Sequence, residues 1–196
     1  YQSELTFDKI DCLNFLSSKG IKVASSISLL KSEKINFDEI ENKIGFPCFV
    51  KASNSGSSFG VFKVYDKEEI IHCINSALKV DNKVLIESFI DGREFSIGVI
   101  SFKGRTKVLP ITEIITSNDF FDYEAKYEGK AEEITPANIT DEMKSDLELL
   151  SKKVYNLLEL KGFSRSEFIV NDNGIYYLET NTVPGLTSES ILPQQA

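Results

Sequence analysis

Two strand-like segments near the end of the chain, residues 163–171 and 175–181, are separated by Asp172-Asn173-Gly174 and read as a β-hairpin. Side chains alternate across a strand, so Arg165 shares a face with Glu167, and Glu179 shares one with Asn181. Whether all four share one face depends on the turn. A two-residue Asn173-Gly174 loop would pair Asp172 with Ile175 and put the two glutamates on opposite faces. A three-residue Asp172-Asn173-Gly174 loop supplies glycine at the left-handed position, pairs Asn171 with Ile175, and sets Glu167 opposite Glu179 and Arg165 opposite Asn181. The three-residue loop is the expectation, with Phe168, Val170, Tyr176 and Leu178 on the core-facing side.

Two carboxylates directly opposite each other repel unless a cation lies between them. With an amide oxygen they make a hard, all-oxygen set that suits magnesium holding phosphates, and Arg165 beside them could grip an oxyanion. The plainer alternative is a solvated hairpin face with scattered charges.

The rest of the chain alternates short strands and amphipathic helices. A helix follows Thr6 with apolar Ile10, Leu13, Phe15 and Leu16 and ends at Gly20. Strand 21–28, helix 36–44, strand 46–52 and strand 61–65 come next, then a helix over 67–79. Strands at 83–88, 94–102 and 107–115 precede a long irregular stretch at 116–133, suspect as a functional loop. Thr140 caps a helix running to about Leu158. The expected architecture is α+β, with two lobes meeting near residues 88–92: residues 1–88 with a loop at 53–60, and residues 89–196 with the hairpin strands at 163–182.

Composition narrows the chemistry. Twenty-two Lys and Arg against 30 Asp and Glu give a net charge of −8, which argues against a general nucleic-acid or anionic-membrane binder. No apolar run approaches the roughly 20 residues of a membrane span. Cys12, Cys48 and Cys73 have no metal-ligand spacing and read as buried reduced thiols in a reducing cytoplasm. His72, the only histidine, lies on the outer face of the 67–79 helix, so the chemistry is not built on histidine. The chain starts at Tyr1 and stops in mid-pattern, as a piece of something longer would.

Ser55-Gly56-Ser57-Ser58-Phe59-Gly60 lies between two strands, and its small residues let backbone N–H groups approach an anion. It has neither Walker nor GxGxxG spacing, and by itself is more often a β-turn. Lys51, ending the preceding strand, would be a buried cation in need of an anionic partner, whereas Lys9 is by default solvated.

Taken in order, these segments resemble the ATP-grasp ligases, and within them the D-alanine–D-alanine ligase family. The matching segments are Phe46-Pro47-Cys48-Phe49-Val50-Lys51, Ser55 to Gly60, Leu85-Ile86-Glu87 and Gly92-Arg93-Glu94. Further on come Phe121-Asp122-Tyr123-Glu124-Ala125-Lys126-Tyr127, Ile134-Thr135-Pro136-Ala137, and Leu178-Glu179-Thr180-Asn181-Thr182-Val183-Pro184-Gly185-Leu186-Thr187. The resemblance implies an ATP-grasp fold, with antiparallel sheets of two lobes sandwiching ATP. It implies that Lys9 and Lys51 contact phosphate oxygens under a loop carrying Ser57 and Ser58. Glu87 would accept from the adenine amino group, Phe89 and Ile90 would form the hinge, and Glu94 would hold the ribose. Phe120 and Ile169 would flank the base. Glu167, Glu179 and Asn181 would bind two magnesium (or manganese) ions.

The implied reaction joins two D-alanine molecules for peptidoglycan precursors, through an acyl phosphate and a tetrahedral intermediate. Arg165 and the Gly185 N–H would stabilise the oxyanion, Lys126 would reach the transferring phosphate, and Ser190 would meet the second substrate's carboxylate. Residues 116–133 would close over the site and exclude water. Tyr127 stands where lactate-using relatives tend to have histidine, which favours the dipeptide product. Glu167 replaces the family's usual aspartate, and Phe121 its usual tyrosine. The family's N-terminal domain and C-terminal tail have no counterpart in these residues, so the fragment is expected to bind Mg·ATP but make little dipeptide. A cytoplasmic protein and a full-length homodimer complete the expectation. The alternatives are another ATP-grasp carboxylate–amine or D-alanine–D-lactate ligase, and a nucleotide-binding module without catalysis.

Overall fold

Every strand-to-strand pairing within the two sheets is antiparallel. The computed structural model describes residues 2–116 and 131–196. Its first sheet contains β1 (Ser26–Leu30), β2 (Cys48–Ala52), β3 (Val61–Val64) and β4 (Lys83–Ser88), in the order β1-β4-β2-β3. The second contains β5 (Arg93–Phe102), β6 (Arg105–Val108), β7 (Thr112–Thr116), β8 (Ala131–Ile134), β9 (Phe163–Asn171) and β10 (Gly174–Asn181). Its order is β10-β9-β5-β7-β8, with β6 paired to β5. The chain passes from one sheet to the other between Ser88 and Arg93.

The helices follow their caps. In α4 (Lys67–Ala77), the Asp66 side chain accepts from the Glu68 and Glu69 N–H groups. Ile70, Cys73, Ile74 and Ala77, at i, i+3, i+4 and i+7, are buried in the core beneath the first sheet. His72 is exposed on the opposite face, as expected. Helix α3 (Phe37–Lys43) is capped by Asn36, and α5 (Asp141–Leu157) by Thr140. Two short helices, α1 (Gln2–Phe7) and α6 (Ile191–Gln195), lie near the two ends. The first expected helix differs at its start: Asp8, not Thr6, is the N-cap of α2 (Lys9–Ser18), because Thr6 belongs to α1. Its buried side, Ile10, Cys12, Leu13 and Leu16, packs into the core of the second sheet with Phe95, Ile97, Phe168 and Tyr177. Strand 21–28 is displaced towards the C-terminus, with β1 starting only at Ser26. The expected strand 107–115 is two strands, β6 and β7, separated around Pro110, which has no N–H for a ladder.

The closing hairpin reaches its expected end by another route. Gly174, with φ +122°, stands opposite Asn171, so the connection is Asp172-Asn173 rather than three residues. Ile175 faces Val170 and Tyr177 faces Phe168. Thus Tyr177, not Tyr176, is the buried tyrosine, and its ring meets Phe168 edge-on at 6.0 Å. An irregularity between Tyr177 and Glu179 leaves Leu178 as an extra residue, so Leu178 is not a core-facing partner of Phe168. The extra residue restores the pairing Glu179 with Glu167 and Asn181 with Arg165. Without it, Glu179 would stand opposite Ser166, which is buried, because a one-residue slip flips every side chain.

All three cysteines are free and buried, as the sequence suggests, and burial pushes the Cys12 and Cys48 thiols up to about 11. Among the described residues no helix is long and apolar enough to cross a membrane.

A polar cluster ties the start of α2 to the loop after β2. Asp8 accepts from the Ser53 hydroxyl at 2.7 Å, the Asp11 N–H at 3.2 Å and Lys83 Nζ at 3.0 Å. The Ile10 N–H donates to Ser53 Oγ, and the Lys9 N–H to the Ser53 carbonyl. Burial alone would raise the Asp8 pKa, but the Ser53, Lys83 and Asp11 hydrogen bonds outweigh it and lower it to about 2. A carboxylate with a depressed folded pKa contributes stability above its unfolded value of 3.8, and that contribution is lost as pH falls towards about 2. The shift corresponds to roughly 2 kcal/mol. Urea midpoints of the protein should therefore drop between pH 4 and pH 2, and Asp8→Asn should flatten that acid limb; an unchanged limb in the variant would show that Asp8 does not carry it.

Candidate functional site

A cleft of ≈ 890 Å³ lies between the two sheets, lined from both. In β2, Cys48, Val50 and Ala52 are buried in the first core, so the alternate residues Phe49 and Lys51 face the cleft. In β4, Val84 and Ile86 point to that core, and Leu85 and Glu87 line the cleft. Lys51 stands opposite Leu85 and Glu87 opposite Phe49, a diagonal that long side chains can span. Lys51 Nζ donates to Glu87 Oε1, with side chains only 18% and 6% exposed. Burial would lower the Lys51 pKa, but the charge and hydrogen bond of Glu87, with Glu179 and Glu94 further off, raise it. Lys51, a buried cation in need of an anionic partner, has that partner in Glu87.

Lys9 opens α2 and its Nζ donates to the Ser55 carbonyl at 2.5 Å, which anchors the base of the loop. Ser57 and Ser58 both have positive φ, 51° and 57°. The Phe59 N–H donates to the Gly56 carbonyl at 2.9 Å, so residues 56–59 form a type I′ turn built on serines rather than the usual glycine or asparagine. Two such residues hold strain of about 1–3 kcal/mol each. Both serines line the cleft.

Phe89 and Ile90 lie at the crossing between the sheets and line the cleft. The Phe89 ring stands 6.2 Å from Phe49 and carries Lys63 Nζ at 4.1 Å from its centroid. Gly92 ends the crossing against β9: a Cβ there would come 2.5 Å from the Val170 carbonyl oxygen and 2.7 Å from Ile169 Cγ2. Only glycine lets the chain approach so closely. Glu94, next in β5, sits opposite Ile169, and both face the cleft.

The cleft wall from the second sheet carries Glu167, Glu179 and Asn181. Arg165 donates to Glu167 Oε1 at 2.8 Å, with side chains 14% and 5% exposed. Its Nε is buried without a partner among the described residues. The Asn181 Oδ1 accepts from the Val183 N–H at 2.9 Å, which fixes the amide and leaves one lone pair of that oxygen available. Among the described residues no group of three or more His, Cys, Asp or Glu stands where it could hold a metal.

Gly185 and Ser190 do not line the cleft but stand together beyond Asn181. A Cβ at Gly185 would meet Ser190 Oγ at 2.5 Å, and that hydroxyl lies 2.9 Å from Thr187 Oγ1. Phe120, Lys126 and Tyr127 lie outside the described residues, as does most of the proposed closing loop. Two acidic residues escaped the sequence reading. Glu113 takes Arg93 in a two-bond pair at 2.7 and 2.8 Å and lines the cleft. Glu133, on β8, feels both Arg165 and Glu167: burial raises its pKa, Arg165 opposes this, and Glu167 adds to it. Neither has a local motif; only the pairing of β7 with β5 and β8 brings them here.

The model of the family described as "D-ala D-ala ligase C-terminus" matches residues 15–196. The D-alanine–D-alanine ligase of Flavobacterium johnsoniae is 57% identical over 196 residues, covering 100% of this chain and 61% of that relative. The chain thus spans about 60% of the length of the curated relatives it matches. Among solved structures, the VanG D-Ala:D-Ser ligase from Enterococcus faecalis superposes with TM-score 0.87 at 33% identity, over 99% of this chain and 57% of that one. The D-alanine–D-alanine ligase from Bacillus anthracis complexed with ATP gives TM-score 0.84 at 31% identity, over 99% and 60%. With the family model covering nearly every residue from α2 onward, the chain belongs to the D-ala D-ala ligase C-terminus family.

Proposed function

We propose that these residues form the ATP-binding part of an ATP-dependent D-alanine–D-alanine ligase serving peptidoglycan precursor synthesis. The observation that carries the reading is the cleft between two antiparallel sheets, with Glu167 and Glu179 opposed on one wall and Lys51 with Glu87 on the other. In this reading residues 1–88 and 89–196 are the two lobes, with α2 packed across into the second core.

The residues present fit Mg·ATP. The Glu167, Glu179 and Asn181 oxygens are a hard donor set of the kind magnesium or manganese takes. Lys51 and Lys9 supply cations for phosphate oxygens, and the Ser57-Ser58 turn supplies small residues beside them. Glu87 is an acceptor for the adenine amino group and Glu94 for the ribose, with Phe89, Ile90, Ile169 and Phe120 as apolar surroundings. When bound, the divalent cations offset charge repulsion between the triphosphate and an attacking carboxylate. Arg165, whose buried Nε lacks a protein partner among the described residues, suits the oxyanion that forms when an amine attacks an activated carboxyl carbon. The Gly185 N–H is the second donor in this reading, Ser190 beside it binds the second substrate's carboxylate, and Lys126 and Tyr127 act from the closing loop. A cytoplasmic location is supported by the three free cysteines. A homodimer belongs to the same reading and rests on the family resemblance alone.

The likeness to a D-Ala:D-Ser ligase favours a second reading, in which D-serine is the second substrate. D-alanine, D-serine and D-lactate offered in turn to the intact protein, with ADP release measured, should give D-alanine the highest kcat/KM. Preference for D-serine or D-lactate would replace the proposal. Arg165→Ala should lower kcat by about 10²–10³-fold, with calorimetric affinity for Mg·ATP little changed. An equal loss of nucleotide affinity would remove Arg165 from the oxyanion role. Gly185→Ala should displace Ser190 and raise the KM for the second substrate more than that for ATP; equal changes in both would count against the pairing of those two residues.

A further inference from the structure

Tyr177 and Thr180 are three apart, a spacing that in a regular strand puts side chains on opposite faces. Both are nonetheless buried, at 1% and 6% exposure, because Leu178 is the extra residue of the bulge. Their hydroxyls meet across it: Tyr177 OH donates to Thr180 Oγ1 at 3.0 Å. Thr180 Oγ1 lies 2.7 Å from Ser166 Oγ, and Tyr177 OH lies 3.3 Å from Cys12 Sγ. Since the single Tyr177 hydroxyl proton goes to Thr180, the Cys12 thiol donates to Tyr177, while Thr180 and Ser166 share one further hydroxyl–hydroxyl bond. One continuous hydrogen-bonded chain therefore runs from α2 through β10 to β9. Thr180 sits between Glu179 and Asn181, and Ser166 between Arg165 and Glu167. The last two links of the chain are thus immediate neighbours of Glu179, Asn181 and Glu167, which line the cleft.

We propose that this hydroxyl chain is a positioning device for the oxygen site, with Tyr177 and Thr180 clamping the bulge at Leu178 so that Glu179 and Asn181 face the cleft. The inference rests on the reading above, in which Glu179 and Asn181 hold a divalent cation. Disfavoured burial of a carboxylate already opposes loss of the bulge. The clamp adds its location, because only a bulge between them brings both hydroxyls to one side of the strand.

The test measures Mn²⁺ bound to the intact protein in the presence of ATP, by electron paramagnetic resonance, alongside metal-free ATP binding. Thr180→Val and Tyr177→Phe should weaken Mn²⁺ binding by about 10–100-fold while leaving metal-free ATP binding unchanged. Thr180→Ser, which keeps the hydroxyl, should restore it. A folded Thr180→Val protein with unaltered Mn²⁺ affinity, or a serine variant no better than valine, would overturn the clamp. Should Thr180→Val not fold, Tyr177→Phe decides alone, since it keeps the ring and removes only the hydroxyl. Glu179→Gln separates the metal site from the clamp. If it abolishes Mn²⁺ binding and the clamp variants do not weaken it, only the clamp fails; if it leaves Mn²⁺ binding intact, the metal reading fails and the clamp with it.

Discussion

Two glutamates held face to face on paired strands are the constraint around which the second sheet is organised. Like charges opposite one another weaken a strand pair, so Glu167 and Glu179 work against the hairpin that carries them. The opposition is offset on the reverse face, where Phe168 packs on Tyr177 and Ser166 bonds Thr180. On the cleft face, Arg165 lies along the same strand and bonds Glu167. The apolar side of the hairpin therefore stabilises an arrangement that its polar side disfavours. Such a division is expected where a site is made for a ligand rather than for stability.

The first sheet holds the complementary arrangement. Lys51 and Glu87 satisfy each other in a nearly dry environment, and removing either would leave a buried charge, at a cost of roughly 3–5 kcal/mol. Their proposed roles towards ATP are therefore not independent. A ligand that takes Lys51 must bring an anion to it and, in the same event, a hydrogen-bond donor to Glu87. A nucleotide carries both, with phosphate at one end and an exocyclic amine at the other. That pairing of demands is more selective than either residue alone.

Much of this was legible from residues close together in the chain. The helix near residues 36–44, the cap at Thr140, the strands at residues 83–88 and 163–171, and the face shared by Arg165 and Glu167 follow from local pattern. Other features were not. The 21–28 segment looked strand-like from its first residue, but only from Ser26 does it meet β4. Tyr176 and Tyr177 are chemically alike neighbours, and alternation counted from an assumed turn chose the wrong one. Glu113 and Glu133 carry no motif at all. They reach the site because β5, β7 and β8 pair side by side, and pairing between segments distant in the chain leaves no periodic trace in either segment.

The sequence by itself determined the parts: an acidic α+β chain, a serine- and glycine-bearing loop after a lysine-ended strand, and a hairpin with carboxylates at matching heights. These follow from side-chain chemistry and the two-residue and 3.6-residue periods, which are properties of neighbouring residues. Tertiary structure decided how the parts meet. It chose Glu87 as the partner of Lys51, brought α2 under the second sheet, and set Glu179 opposite Glu167 through a bulge rather than a longer turn. The physical reason is that each choice trades the burial of one charge or hydroxyl against another, and those burials exist only once the two sheets have closed around the cleft.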